Sequence, residues 1–218
     1  MQSVEFIDNN RMIIDFTKQF SIHNRAVSCR AELLVGNLNL LVGDNGVGKS
    51  TFFHYVKNNF KSLFPNDKVA FMDQFPLRSI SELRVCDIIN TLEEDFKSFD
   101  KEKANHLFEL FDFAKFNLAV LNQLSGGENQ IFKFIITNSQ KASLYFLDEP
   151  LQFLDSKNLI KVKEVIAAQV KEGKTFFMIE HRKELVKDLA KNWIQMEISE
   201  EEIFITNMNK NEEASQWN

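Results

Sequence analysis

The sequence predicts an α/β fold in which a parallel-sheet core carries an N-terminal antiparallel β region and is interrupted by an inserted α-helical subdomain. Three observations predict it. Residues 38–72 read as an apolar strand, a glycine-rich loop, a helix and a second buried strand. Residues 80–122 change to helical spacing. From Glu128 onward the alternation of helix and buried strand resumes. The expected organisation is therefore one unit of 218 residues. Its core with the β region covers residues 1–79 and 128–206, and its helical subdomain about 80–127. Residues 207–218 form a polar tail expected to fray. The three prolines, Pro65, Pro76 and Pro150, fall at element ends, and no linker or repeat divides the chain.

Taken in order, residues 11–16 and 27–35 suit strands, the second placing Val27, Cys29, Ala31 and Leu33 on one side. Residues 38–42 are a short apolar run, 51–64 a helix, and 68–72 a buried strand. In the middle block, Val85, Ile88, Ile89 and Leu92 recur at helical spacing. Leu107, Leu110 and Phe111 do so after Asp100, a suitable N-cap. Strands follow at 144–147 and 175–179, around an amphipathic helix from Ser156 to about Lys171.

Composition narrows the function. Lys plus Arg number 26 against 31 Asp plus Glu, a net charge of −5, with 44% hydrophobic residues. This excludes disorder for the bulk and gives no basic footprint for nucleic acid. The longest apolar stretch is four residues where a spanning helix needs roughly 20, so direct membrane insertion is not expected. The first residues lack a basic-then-apolar leader, which makes the cytoplasm the expected compartment. Cys29 and Cys86 are too few for a disulfide or zinc framework and are expected to be buried. The 22 Phe residues are read as core packing.

Gly43-Asp44-Asn45-Gly46-Val47-Gly48-Lys49-Ser50 matches G-x-x-x-x-G-K-[ST], and Thr51 extends it, between a strand and a helix. Such a loop turns consecutive backbone N–H groups toward phosphate oxygens at a helix N-terminus. Lys49 is placed to bridge the β- and γ-phosphates and Ser50 to offer a hydroxyl to Mg²⁺. The fold is thus that of a P-loop NTPase. A strand ending in Asp148-Glu149 supplies a second metal contact, Asp148, and a group to polarise water, Glu149. No N-K-x-D guanine reader accompanies the loop; Asn209-Lys210-Asn211-Glu212 comes nearest, in the charged tail.

Leu124-Ser125-Gly126-Gly127-Glu128 resembles the signature motif of the ATP-binding cassette (ABC) ATPases, and the resemblance covers nearly the whole chain. Other motifs follow in the family's order. Gln74 looks like the Q-loop, Leu154-Asp155 the D-loop and His181 the switch histidine. Phe20, 29 residues before Lys49, stands where an aromatic residue stacks on adenine, with Phe for the usual Tyr. The resemblance implies a head-to-tail dimer enclosing two ATP molecules with Mg²⁺. In it the P-loop of one copy faces Ser125, Gly126, Gly127 and Glu128 of the other, and Asp155 lies at the same junction. It also implies that Gln74 and His181 sense the γ-phosphate, with Gln74 joining Ser50 and Asp148 at the metal. A transmembrane permease partner follows, holding the protein peripherally on the cytoplasmic face of the cell membrane; the other possibility is a soluble, non-transport ABC ATPase such as those of iron–sulfur cluster assembly. Only 51 residues separate Gln74 from Ser125, which speaks against DNA-repair members with large insertions. A single cassette speaks against translation-factor members.

Three positions depart from the family pattern. Ile131 stands where Arg is common, Leu151-Gln152-Phe153 replaces small polar residues, and the strand after Trp193 lacks the usual glycine turn.

Overall fold

The structure is a computed structural model and describes residues 3–8, 10–73 and 80–208. Nine strands form one mixed sheet: β1 Ser3–Asp8, β2 Arg11–Ile22, β3 Arg25–Leu34, β4 Leu38–Val42, β5 Val69–Met72, β6 Leu144–Asp148, β7 Thr175–Ile179, β8 Ala190–Ile198 and β9 Glu202–Asn207. Their order across the sheet is β1-β2-β3-β9-β8-β4-β7-β6-β5. The stretch β8-β4-β7-β6-β5 is parallel throughout. The meander β1-β2-β3 is antiparallel and joins the rest through β9, which runs parallel to β3 and antiparallel to β8.

The central parallel strands are covered on both faces and read accordingly as mostly apolar. Every residue of β4, β6 and β7 is buried. One face packs against α1 (Lys49–Leu63), where Phe52, Phe53, Phe64, Phe146 and Phe177 are all within 1% of complete burial. At about 1.5–3 kcal/mol for each fully buried Phe, this abundance of Phe is core packing. The other face meets α4 (Gly126–Asn138), α5 (Ser156–Lys171) and the helical block, which contains α2 (Val85–Asp95) and α3 (Lys101–Leu110).

Local chemistry sets the helix starts. Asp100 accepts a hydrogen bond from Lys103 N (3.0 Å) to cap α3, and Asp155 accepts one from Asn158 N (2.8 Å) to cap α5. Ser125 and Glu128 form a reciprocal capping box on α4. Consequently α4 runs unbroken through the expected subdomain boundary at 127/128.

Several expectations are corrected. Strand β2 continues to Ile22 through a register shift between Thr17 and Ser21 instead of stopping at Phe16. Cys86 is only half-buried, in the first turn of α2, whereas Cys29 is buried. Ile131 is buried in the core, so its position serves packing. The glycine turn after Trp193 is replaced by Ser199, whose hydroxyl accepts from Glu202 N (3.0 Å) and donates to Glu202 O (2.9 Å). The fraying tail does not begin at 207, because Asn207 closes β9. Its side chain accepts from Glu32 N (2.6 Å) and donates to Glu32 O and to Asn192 Oδ1 (both 2.9 Å). Asn192 in turn donates to Asn39 Oδ1 (2.8 Å), and fully buried Asn39 bonds the Leu34 N–H and carbonyl. This chain of asparagines from β4, β8 and β9 satisfies the part-buried backbone groups of Glu32 and Leu34 in β3, where an apolar residue would leave them orphaned.

Candidate active site

The loop after β4 wraps onto the N-terminus of α1. Gly48 caps that helix with φ 108°, and a Cβ there would lie 2.7 Å from the Ile22 side chain, so only glycine fits. No side chain caps α1 and no acidic residue occupies its first turn, leaving the helix N–H groups to an anion. The Lys49 ammonium is buried and donates to Gly43 O (2.7 Å) and Asp44 O (2.9 Å). Burial lowers its pKa, while Glu149, Asp44 and Asp148 pull the other way.

Asp148 ends β6, fully buried, and neither carboxylate oxygen has a hydrogen-bond partner. Burial pushes its pKa up to about 6; the Ser50 hydroxyl beside it favours the charged form but falls outside hydrogen-bonding geometry. An orphaned carboxylate facing a hydroxyl and a phosphate-type loop suits Mg²⁺, which takes one or two protein ligands and fills its octahedron with water and phosphate oxygens. Ser50 and Asp148 would hold it. Gln74, the third expected ligand, lies outside the described residues.

Raising the folded pKa of Asp148 from 3.8 to about 6 makes the folded protein bind this proton more tightly than the unfolded chain does. The carboxyl therefore costs stability on the order of 2–3 kcal/mol once the pH passes about 6, a cost absent below about 4. Asp148→Asn is expected to raise the melting temperature of the nucleotide-free protein at pH 7.5 by about 5 °C while abolishing hydrolysis. An unchanged or lower melting temperature would contradict this account of Asp148.

Glu149 follows in a left-handed conformation (φ 50°). Its carbonyl accepts from Gln130 Nε2 (2.6 Å) and its N–H donates to Ile179 O (2.9 Å). These bonds turn the carboxylate toward the end of β7, where His181 Nε2 lies 2.7 Å from Oε1. A cleft of about 950 Å³ opens beside this pair, lined on one side by Gly43, Asp44 and Asn45 and on the other by Glu180 and His181. Glu180, absent from the expected set, is buried, with one oxygen accepting from Arg182 N (3.0 Å) and the other unpartnered. Burial raises its pKa, chiefly by desolvation.

The remaining expected residues lie apart from this cleft. Phe20 stacks on Tyr55 of α1, ring centroids 3.9 Å apart and planes 10° from parallel. Tyr55 had no motif to betray it, since its partner sits 35 residues upstream. Ser125 and Glu128 are engaged with each other, and Gly126 and Gly127 lie against Phe153. A Cβ on Gly127 would stand 2.8 Å from the Phe153 carbonyl oxygen. Gly127→Ala must therefore displace backbone, and ATP turnover is expected to fall about tenfold or more. Turnover within twofold of the parent would show that the turn yields freely. The Asp155 carboxylate, expected at a nucleotide junction, is occupied by the α5 cap.

The sequence model for ABC transporters matches residues 28–152, more than half of the chain and both the phosphate loop and the Asp148-Glu149 pair. The chain belongs to the ABC transporter family. The ABC domain fold is shared with solved structures at low identity: the ATP-binding subunit of an ABC transporter has a TM-score of 0.75 at 14% identity, over 96% of this chain and 93% of that one. The archaeal ribosome recycling factor aABCE1 also has a TM-score of 0.75, at 20% identity, over 98% of this chain and 43% of that one. Among curated relatives, an uncharacterized ABC transporter ATP-binding protein of Methanocaldococcus jannaschii is 25% identical over 72% of this chain and 80% of its own length. Elongation factor 3 of Phytophthora infestans is 27% identical over 84% of this chain but only 18% of its own length. ATP hydrolysis is the reaction of the ABC family.

Proposed function

We propose that this ABC domain is the ATP-binding and ATP-hydrolysing subunit of a transporter, closing as a dimer around two ATP molecules to drive a membrane partner. The observation that carries the reading is the convergence of Lys49, Asp148, Glu149 and His181 from the segments that follow three adjacent strands, β4, β6 and β7, at their C-terminal ends. Several relatives are named as ATP-binding proteins of transport systems, which supports the transporter role. Among the described residues no helix is long and apolar enough to cross a membrane, so a transport path would belong to a partner.

In this reading the loop N–H groups and Lys49 hold the phosphates, and Phe20 takes the adenine. Ser50, Asp148 and Gln74 would hold Mg²⁺, which would supply charge neutralisation at the phosphates. Glu149 orients the attacking water and accepts its proton, while His181 fixes the Glu149 carboxylate and reaches the γ-phosphate. Ser125, Gly126, Gly127, Glu128 and Asp155 meet the nucleotide of the second copy. ATP contacting both copies favours the closed pair by differential affinity, and loss of the γ-phosphate releases it. The helical block of about residues 80–127 would face the partner.

A second reading is favoured by the likeness to elongation factor 3 and to the ribosome recycling factor: a non-transport ABC ATPase. Tagged Glu149→Gln purified with ATP from gently solubilised cells separates the two. A co-purifying multi-spanning membrane protein is expected; recovery of soluble proteins alone would replace transport by the second reading.

A further inference from the structure

The turn that carries Glu149 is held under backbone strain at both its ends. Both Glu149 (φ 50°) and Phe153 (φ 62°) adopt left-handed conformations that side chains other than glycine disfavour, and such residues persist only where their surroundings over-determine them. Gln130 and Ile179 fix the Glu149 end of the turn, and Gln152 N closes it back onto Glu149 O (3.2 Å). At the far end Phe153 is 68% exposed, so its own side chain does little to anchor it, yet its carbonyl sits against Gly127. Between the two ends, the Arg182 guanidinium reaches from the segment after β7 and donates through Nη2 to the Leu151 carbonyl. The Arg182 backbone is itself set by the buried Glu180 carboxylate, which accepts its N–H at 3.0 Å.

We propose that Arg182 is a positioning residue that straps the 149–153 turn to the switch segment, keeping the Glu149 carboxylate on His181 and the Phe153 carbonyl on Gly127. The inference rests on the reading of Glu149 as the group that activates water. One strap then joins three functional segments within a single chain. A movement of His181 is passed through its neighbour Arg182 to the turn that touches the signature glycines. Arginine suits this place because its planar fork reaches a carbonyl while its exposed face stays hydrated. It touches neither nucleotide nor water in this role, so its loss should act on turnover and leave nucleotide binding alone.

The test compares Arg182→Met, which keeps length without a donor, with Arg182→Lys, which keeps a donor, in the full chain. ATP turnover and affinity for a fluorescent ATP analogue are measured on both, with Glu149→Gln as control. Arg182→Met is expected to lower kcat about tenfold with analogue affinity within twofold, and Arg182→Lys to recover most of the loss. A kcat for Arg182→Met within twofold of the parent overturns the proposal, as does an equal loss in both variants. If Glu149→Gln itself kept turnover, the reading of Glu149 would fail instead, whatever Arg182 does.

Discussion

Glu149→Gln is expected to bind ATP and barely hydrolyse it, with turnover reduced roughly 10²- to 10⁴-fold, the usual contribution of a positioned general base. Glutamine keeps the volume and one acceptor oxygen, so the bonds of the backbone to Gln130 and Ile179 persist and the turn keeps its shape. What is removed is the capacity to take a proton and the anionic partner 2.7 Å from His181. Measured by phosphate release under saturating ATP, with binding followed separately, the loss should fall on kcat. A variant within tenfold of the parent would mean that another group activates the water. Glu180, buried with an unpartnered oxygen on the same cleft, would then be the first to examine.

Lys49→Ala is expected to weaken nucleotide affinity about 100-fold or more, close to 3 kcal/mol, because a buried ammonium is lost where phosphate charge must be met. The loop has its own stake in this residue. Lys49 supplies hydrogen bonds to the carbonyls of Gly43 and Asp44, so alanine also leaves those groups without their donor. Isothermal titration with ATP and Mg²⁺ reads the effect directly. Affinity within fivefold of the parent would place the phosphates elsewhere than on this loop.

The sequence was most legible where one physical signal dominates. Leu38–Val42 and Thr175–Ile179 are apolar but for Asn39 and Thr175 because both sheet faces are covered, and Ser156–Lys171 is bounded by the Asp155 cap at its start. Legibility failed where polar residues do structural work. Thr17 and Gln19 disguised the continuation of β2, and Asn207 reads as tail until its hydrogen bonds to Glu32 and Asn192 are seen. Strands β1 and β9 were missed for a related reason: at the sheet margin and in the seam, SVEFID and EIFITN mix charge with apolar residues. At the site, contiguous motifs pointed to Lys49, Asp148 and Glu149. Arg182 and Tyr55 act through partners 31 and 35 residues distant, a relation that no local pattern carries.

Strand β9 also imposes an order on synthesis. It is the piece that zips β3 to β8, yet residues 202–207 leave the ribosome after the phosphate loop, the acidic pair and the switch histidine have all emerged. Until then the β1-β2-β3 meander has no strand ladder to the nucleotide-binding strands, beyond side-chain bonds such as those of Asn39 to Leu34, and presents β3 as an open edge. The nascent chain thus holds every chemical group for hydrolysis before it can hold Phe20 in register with them, so completion of the base platform is tied to delivery of a segment that touches no nucleotide. A ribosome stalled near residue 200 would display a chain rich in motifs and unable to close its sheet.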